Sequence, residues 1–161
     1  MRTYKNGLRN LALRLASGIF VFAIIQFTIP FAEAAKDSFL SVTSKYSFNK
    51  TVTNIKKQIS AHKLALLKEY NVQSMLKMVG VKSEKSLTLA TFHPRYGKVI
   101  YASDKNAASA VPLRLVVQER GGKVIVGYIR PSEVFANFDV PQSFKTELDT
   151  LLDSIVAKAT Q

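Results

Sequence analysis

The pattern of the first 35 residues determines how much of this chain can belong to a folded domain. A basic start is followed by the mostly apolar stretch 15–31 and then by Ala32-Glu33-Ala34-Ala35. This order of basic, apolar and small residues is typical of a secretory signal peptide, and signal peptidase reads the positions one and three before its cut. The sequence therefore predicts a signal peptide over residues 1–34, with cleavage after Ala34.

The alternative interpretation of the apolar stretch is an uncleaved membrane anchor. As a helix, its 17 residues would span about 25 Å, which is short of a hydrocarbon core about 30 Å thick. Gln26 and Pro30 weaken a permanent span further. A cleaved signal predicts a periplasmic or secreted protein, and a retained anchor predicts an inner-membrane protein whose domain faces the periplasm. A buried helix of the fold is the third alternative.

Residues 35–161 have the length of one domain, and no linker, repeat or low-complexity run divides them. They contain no cysteine, which excludes disulfides, thiolate metal sites and thiol nucleophiles. Their 19 Lys and Arg against 10 Asp and Glu give a net charge of +9, which attracts anionic surfaces. Because the lysines are scattered, we expect no nucleic acid partner, and membrane contact only through the N-terminal segment or weak surface electrostatics.

Apolar periodicity in this part predicts an α+β fold. Alternation over 39–46 predicts a first strand, and apolar residues at i, i+4, i+7 and i+11 predict a helix over 48–63. Further strands are expected over 65–70, 86–93, 113–119 and 123–130, short helical segments over 74–79, 105–110 and 131–137, and a last amphipathic helix from about Pro141. Elsewhere between Pro94 and Pro112 we expect loop or short helix.

The clearest turn signal lies between the last two strands. Arg120-Gly121-Gly122 offers two glycines that accept positive φ between β-rich runs, which predicts a hairpin. The resulting order is β-α-β-β-β-β-α, a two-layer sandwich with a mainly antiparallel sheet and helices on one face. A ferredoxin-like topology is the runner-up.

Four stretches carry a resemblance to a known family. They are SKYSF with the following TVTNIKKQI helix, LTLATFHPRYG over 87–97, VPLRLVVQERGGKVIVGYIRP over 111–131, and the amphipathic C-terminal helix. As a set they resemble the domain of unknown function 302 family over residues 35–161. The resemblance implies a β-α-β4-α fold similar to one half of the TATA-binding-protein architecture, often assembled as a homodimer, and no settled activity. The family's Phe-Gly-Asn-Pro strand end is replaced here by Phe92-His93-Pro94-Arg95.

The densest group of polar side chains follows the predicted central strand. It consists of His93, Arg95, Tyr96 and Lys98. An imidazole, a guanidinium, a phenol and an ammonium at a strand end can hold a carboxylate, sulfate or phosphate through charge-assisted hydrogen bonds. The alternative is a charged turn in which Tyr96 packs inward and the cations lie in water.

A second candidate group lies in the predicted hairpin. Strand alternation places Tyr128 and Arg130 on one face and turns Arg114 away from the core. If a homodimer forms through this sheet, Arg114, Tyr128 and Arg130 become interface or pocket residues. Otherwise Arg114 lies on a solvated face or pairs across the strand.

The sequence gives little support to catalysis. Its only histidines, His62 and His93, show no converging carboxylates, so no metal site is predicted. The seven glycines match neither dinucleotide nor P-loop spacing, so no cofactor is expected. We therefore favour a small exported binding or accessory domain for a small anionic ligand. The alternatives are a hydrolase- or lyase-like enzyme with His93 as general base and Arg95 or Arg114 holding the substrate, and a peripheral membrane-surface factor.

Overall fold

The computed structural model describes residues 38–161, and the predicted signal peptide over 1–34 lies outside the described residues. The strands are β1 Phe39–Ser44, β2 Ala65–Asn71, β3 Ser86–Phe92, β4 Leu113–Arg120 and β5 Lys123–Ile129. The helices are α1 Phe48–Ala61, α2 Val72–Met78, α3 Pro94–Ser103, α4 Pro131–Val134 and α5 Gln142–Thr160, with a 3-10 helix over Lys105–Ala110. None of the helices within residues 38–161 is long and apolar enough to cross a bilayer.

The strands form one sheet in the order β1-β5-β4-β3-β2, and every neighbouring pair is antiparallel. Helix α1 connects the two edge strands of this sheet. The predicted α+β fold with an antiparallel sheet is therefore confirmed. The first strand ends at Ser44 and the first helix at Ala61, each two residues earlier than the sequence pattern predicts.

The main core lies between the sheet and the two long helices, α1 and α5. The apolar stripe of α1 places Ile55 and Ile59 at 0% and 1% exposure against the sheet. The core also contains residues of β3, β4, β5 and α5, namely Leu89, Leu115, Val117, Val126, Leu152, Ile155 and Val156. Burying these side chains contributes the main driving force for folding.

A second core cluster lies beyond the end of β3. It joins α3, the 3-10 helix and the N-terminal half of α5 through Ile100, Ala107, Phe135, Val140, Phe144 and Leu148. The ten residues of α3 form a regular helix where the sequence predicts loop or short helix. Pro94 opens this helix, and burial of Ile100 in the second cluster stabilises it.

The other face of the sheet carries the alternate side chains of its strands. We call it the open face and define it by Arg114, Val116, Ile125, Gly127 and Ile129, which alternate with the core residues of β4 and β5. Both core clusters are built from residues 38–161. The described domain therefore contains its own hydrophobic core.

Candidate functional site

The predicted His93 to Lys98 group forms the first turns of α3. The Nδ1 atom of His93 accepts a hydrogen bond from the backbone N–H of Arg95 at 3.0 Å, so the imidazole caps the helix. The ring of His93 lies 5.1 Å from the ring of Tyr96. The side chain of His93 is therefore engaged in local structure.

The cations of this group face solvent. The Nη2 atom of Arg95 lies 3.6 Å from Oε1 of Glu147, and both side chains are exposed, so the pair contributes little to stability. Lys98 is exposed on α3. Burial raises the pKa of Tyr96, and the carboxylate of Glu147 acts in the same direction, while Arg95 opposes them.

His93 and Tyr96 line a small cavity between the sheet and α5. Its volume is about 20 Å³, and its other walls are mainly apolar, including Leu64, Phe92, Leu148, Leu151 and Leu152. A cavity of this size admits about one water molecule. It is too small for an organic anion, and the other members of the group, Arg95 and Lys98, do not line it.

Tyr128 and Arg130 meet at one carboxylate of α5. The hydroxyl of Tyr128 donates a hydrogen bond to Oδ1 of Asp153, and Nη2 of Arg130 lies 3.9 Å from Oδ2 of the same residue. Burial raises the pKa of Tyr128, and the hydrogen bond to Asp153 raises it further. These contacts connect the end of β5 to α5.

Arg114 lies apart from both groups, on the open face near the start of β4. It lines a cleft of about 210 Å³. The other walls are Phe39, Ala110, Pro112, Leu113, Val116, Tyr128, Ile129 and Val134. Among the described residues, Arg114 forms no ion pair and no hydrogen bond through its side chain. An unpaired guanidinium therefore faces an otherwise largely apolar cleft.

Gly127 allows Phe39 of β1 to form one wall of this cleft. A Cβ atom added at Gly127 would overlap the ring of Phe39, so the missing side chain lets that ring lie against the sheet. Sequence reasoning did not select Phe39 or Gly127 for the site. The sequence signal that could have identified this contact is the glycine inside a strand pattern, because such a glycine often marks a place where another group lies close to the backbone.

The structure therefore divides the seven predicted site residues into three places. His93, Arg95, Tyr96 and Lys98 lie on or beside α3, Tyr128 and Arg130 meet at Asp153, and Arg114 faces the cleft, which Tyr128 also borders. His93 and Arg114 line different cavities. In residues 38–161, no group of three His, Cys, Asp or Glu side chains is placed to hold a metal ion.

Comparisons with known proteins agree with this architecture. The model of the family described as "Domain of unknown function DUF302" matches residues 40–159. A crystal structure of an uncharacterized conserved DUF302 protein from Bacillus stearothermophilus superposes with a TM-score of 0.72 at 15% identity, covering 76% of this chain and 98% of that one. At that identity the similarity concerns the fold. No curated protein matches the chain. Because the family match spans well over half of the sequence, the chain belongs to the DUF302 family.

Proposed function

We propose that this protein is an exported binding domain that holds a small organic anion in the cleft beside Arg114. The observation that carries the proposal is an exposed guanidinium without a carboxylate partner among the described residues, on a cleft whose other walls are mainly apolar. A guanidinium binds carboxylates and sulfonates through two parallel hydrogen bonds. Apolar walls favour a ligand with a hydrocarbon part.

The residues that line the Arg114 cleft restrict the class of ligand that can bind there. Phe39, Ile129 and Val134 offer one aromatic and two aliphatic surfaces to the ligand's body. The volume of about 210 Å³ lies below the roughly 300 to 1,000 Å³ of pockets for drug-sized molecules. A short aliphatic or aromatic monocarboxylate fits this description. Inorganic phosphate would bond to Arg114 but would gain nothing from the apolar walls.

Export is the second part of the proposal, and it rests on the signal pattern of residues 1–34. Cleavage after Ala34 would release residues 35–161, which include every residue of both core clusters. The superposition with the Bacillus stearothermophilus protein covers 98% of that protein's chain. The domain of residues 35–161 is therefore expected to fold without the segment that precedes it.

Thermal unfolding of the 35–161 domain tests the binding proposal. Benzoate and hexanoate at millimolar concentration should raise the melting temperature, because a ligand that binds only the folded state stabilises it. Inorganic phosphate should have a much smaller effect. Arg114→Met should remove the response to benzoate.

The matched control is Arg120→Met. Arg120 is also an exposed arginine of β4, and its guanidinium donates to Oε1 of Gln118 at 2.9 Å, away from the cleft. This variant changes the net charge equally and should keep the full response. A melting temperature that no organic anion raises, or an equal loss of response in both variants, would overturn the proposal.

A further inference from the structure

Helix α2 and the turn that follows it expose four apolar side chains, which we call the α2 tip and define by Met75, Met78, Val79 and Val81. Met78 is 85% exposed and Val79 74% exposed, and about half of Met75 and of Val81 is exposed. Four large apolar side chains therefore face water within seven residues. Large exposed apolar side chains grouped in one short segment mark an interaction site more often than isolated exposed residues do.

Three backbone N–H groups of the α2 tip are hydrogen-bonded within it. The N–H groups of Val79 and Val81 both donate to the carbonyl of Leu76, at 3.1 and 3.0 Å, and the N–H of Gly80 donates to the carbonyl of Lys77 at 3.1 Å. Gly80 closes this turn with a φ of 79°. These N–H groups do not need water as a partner, so the tip can enter a less polar environment without leaving these donors unpaired.

The base of α2 is fixed to the domain. Oδ1 of Asn71 accepts a hydrogen bond from the N–H of Ser74 at 2.9 Å, and Nε2 of Gln73 donates to the carbonyl of Ser83 at 3.0 Å. The second bond joins the helix to the segment that returns to β3. The tip is therefore held as a defined projection and needs little further ordering on binding.

Two lysines flank the apolar side chains of the tip. Residues 70–83 contain Lys77 and Lys82 and no acidic residue. Neither lysine forms an ion pair with any residue of the described domain. Two lysines without an ion pair in the described domain therefore flank the apolar tip.

We propose that the α2 tip inserts into the headgroup region of an anionic phospholipid membrane, with Lys77 and Lys82 contacting lipid phosphates. Apolar side chains flanked by lysines are the composition of elements that lie in a membrane interface, and each lysine near an anionic surface adds to the attraction. The long lysine stems let their charges remain among the headgroups. The sequence predicts only weak surface electrostatics, whereas the structure brings charge and apolar surface together in one element.

A protein partner fits the same tip less well. Protein interfaces are enriched in aromatic residues, methionine and arginine and depleted in lysine. Residues 72–83, which form α2 and the following turn, contain two methionines but no aromatic residue and no arginine, and their two lysines are of a type that protein interfaces avoid. The α2 tip also lies at the opposite end of the sheet from the Arg114 cleft, since it follows the end of β2 while Arg114 lies near the start of β4. Membrane binding through the tip is therefore independent of the proposed ligand site.

Vesicle sedimentation of the 35–161 domain tests this inference, because that domain lacks the N-terminal apolar segment. The domain should sediment with vesicles of phosphatidylcholine mixed with phosphatidylglycerol and stay in solution with phosphatidylcholine alone. The double change Met78→Ser with Val79→Ser should weaken binding at least about tenfold. The control, Leu67→Ser with Tyr101→Ser, removes two apolar residues that are 54% and 57% exposed elsewhere, and should bind as the unchanged domain does.

A second pair of variants tests the role of charge. Lys77→Gln with Lys82→Gln should reduce binding to the phosphatidylglycerol vesicles, and Lys98→Gln with Lys105→Gln, on α3 and the 3-10 helix, should reduce it much less. Because both pairs remove the same net charge, equal losses would show that general electrostatic attraction alone acts. That result would overturn the inference.

A fluorescence measurement reports insertion directly, since the chain contains no tryptophan. In Met78→Trp, the emission should shift to shorter wavelength on adding phosphatidylglycerol vesicles and should be quenched by brominated lipid. In Tyr101→Trp it should not change. Two results would contradict insertion. One is a domain that stays in solution with both kinds of vesicle, which is expected if the tip binds a protein instead. The other is an unchanged emission of Met78→Trp in samples that sediment with the vesicles.

Discussion

The hydroxyl of Tyr128 donates a hydrogen bond to the carboxylate of Asp153, and this bond connects the end of β5 to the middle of α5. Tyr128 is only 3% exposed, and its ring belongs to the main core. Burial raises its pKa above the ordinary value of 10.0, and the acceptor carboxylate raises it further. The neutral phenol is therefore the form that the folded state requires.

This arrangement predicts that the protein loses stability in alkaline solution. The unfolded chain releases the Tyr128 proton near pH 10, whereas the folded chain retains it, so the contribution is complete below about pH 10 and declines as the pH rises further. Tyr128→Phe should show a shallower decline in the free energy of unfolding above pH 10. At neutral pH it should lose about 0.5 to 1.5 kcal/mol, the usual net value of a hydrogen bond.

Urea denaturation over a pH series measures both effects. Tyr101→Phe is the matched control, because Tyr101 is 57% exposed and should follow the unchanged protein at every pH. Identical alkaline profiles for Tyr128→Phe and the unchanged protein would show that Tyr128 does not carry the effect.

The main core predicts a large loss of stability on shortening Ile55. This residue is fully buried in the layer between α1 and the sheet. Ile55→Ala should lower the free energy of unfolding by about 2 to 5 kcal/mol through lost burial and a residual cavity. Met78→Ala should change it by less than about 0.5 kcal/mol, because Met78 is exposed. Similar unfolding midpoints for the two variants in urea would contradict the packing described here.

The contact between Gly127 and Phe39 predicts a specific coupling. Gly127→Ala should destabilise the domain by about 1 to 3 kcal/mol, because the new methyl group overlaps the Phe39 ring. In a Phe39→Ala background the same change should be nearly neutral, since the ring is gone. A double-mutant cycle of unfolding free energies measures this coupling. Additive effects of the two changes would show that the ring does not lie over Gly127.

Homodimer formation stays a prediction, and the open face is where we expect it. Ile125 is half-buried there and pairs with Thr43 of the edge strand β1. If the second copy packs on this face, Ile125→Asp should shift the sedimentation coefficient from dimer to monomer, because a charge would be buried in the interface. Ala61→Asp, at the exposed end of α1, should leave it unchanged. An unaltered dimer in Ile125→Asp would place the interface elsewhere.

Local patterns were sufficient to predict most of the fold. The stripe of α1 packs on the sheet as its spacing predicts, because period and burial agree over the whole helix. Gly121 and Gly122 adopt φ values of 56° and 75° in the predicted hairpin turn. Helix α3 was harder to predict because Gly97 and the β-branched Val99 and Ile100 disfavour a helix locally. Its stability comes from tertiary packing in the second core cluster.

The candidate site depended on contacts that no local pattern contains. Strand alternation predicts that Arg114 points away from the core, and it does. The cleft around it requires β1 to lie beside β5 and the Ala110 to Pro112 segment to fold toward the open face. Likewise, the alternation that relates Tyr128 to Arg130 does not reveal their shared partner Asp153, which lies 25 and 23 positions further along the chain.

Backbone amide chemical shifts, recorded while benzoate is added to the 35–161 domain, test the central claim most directly. Binding beside Arg114 predicts shifts that saturate at Phe39, Ala110, Arg114 and Ile129, and that disappear in Arg114→Met. Shifts confined to the His93 to Lys98 turn, or shifts that persist unchanged in Arg114→Met, would contradict the account.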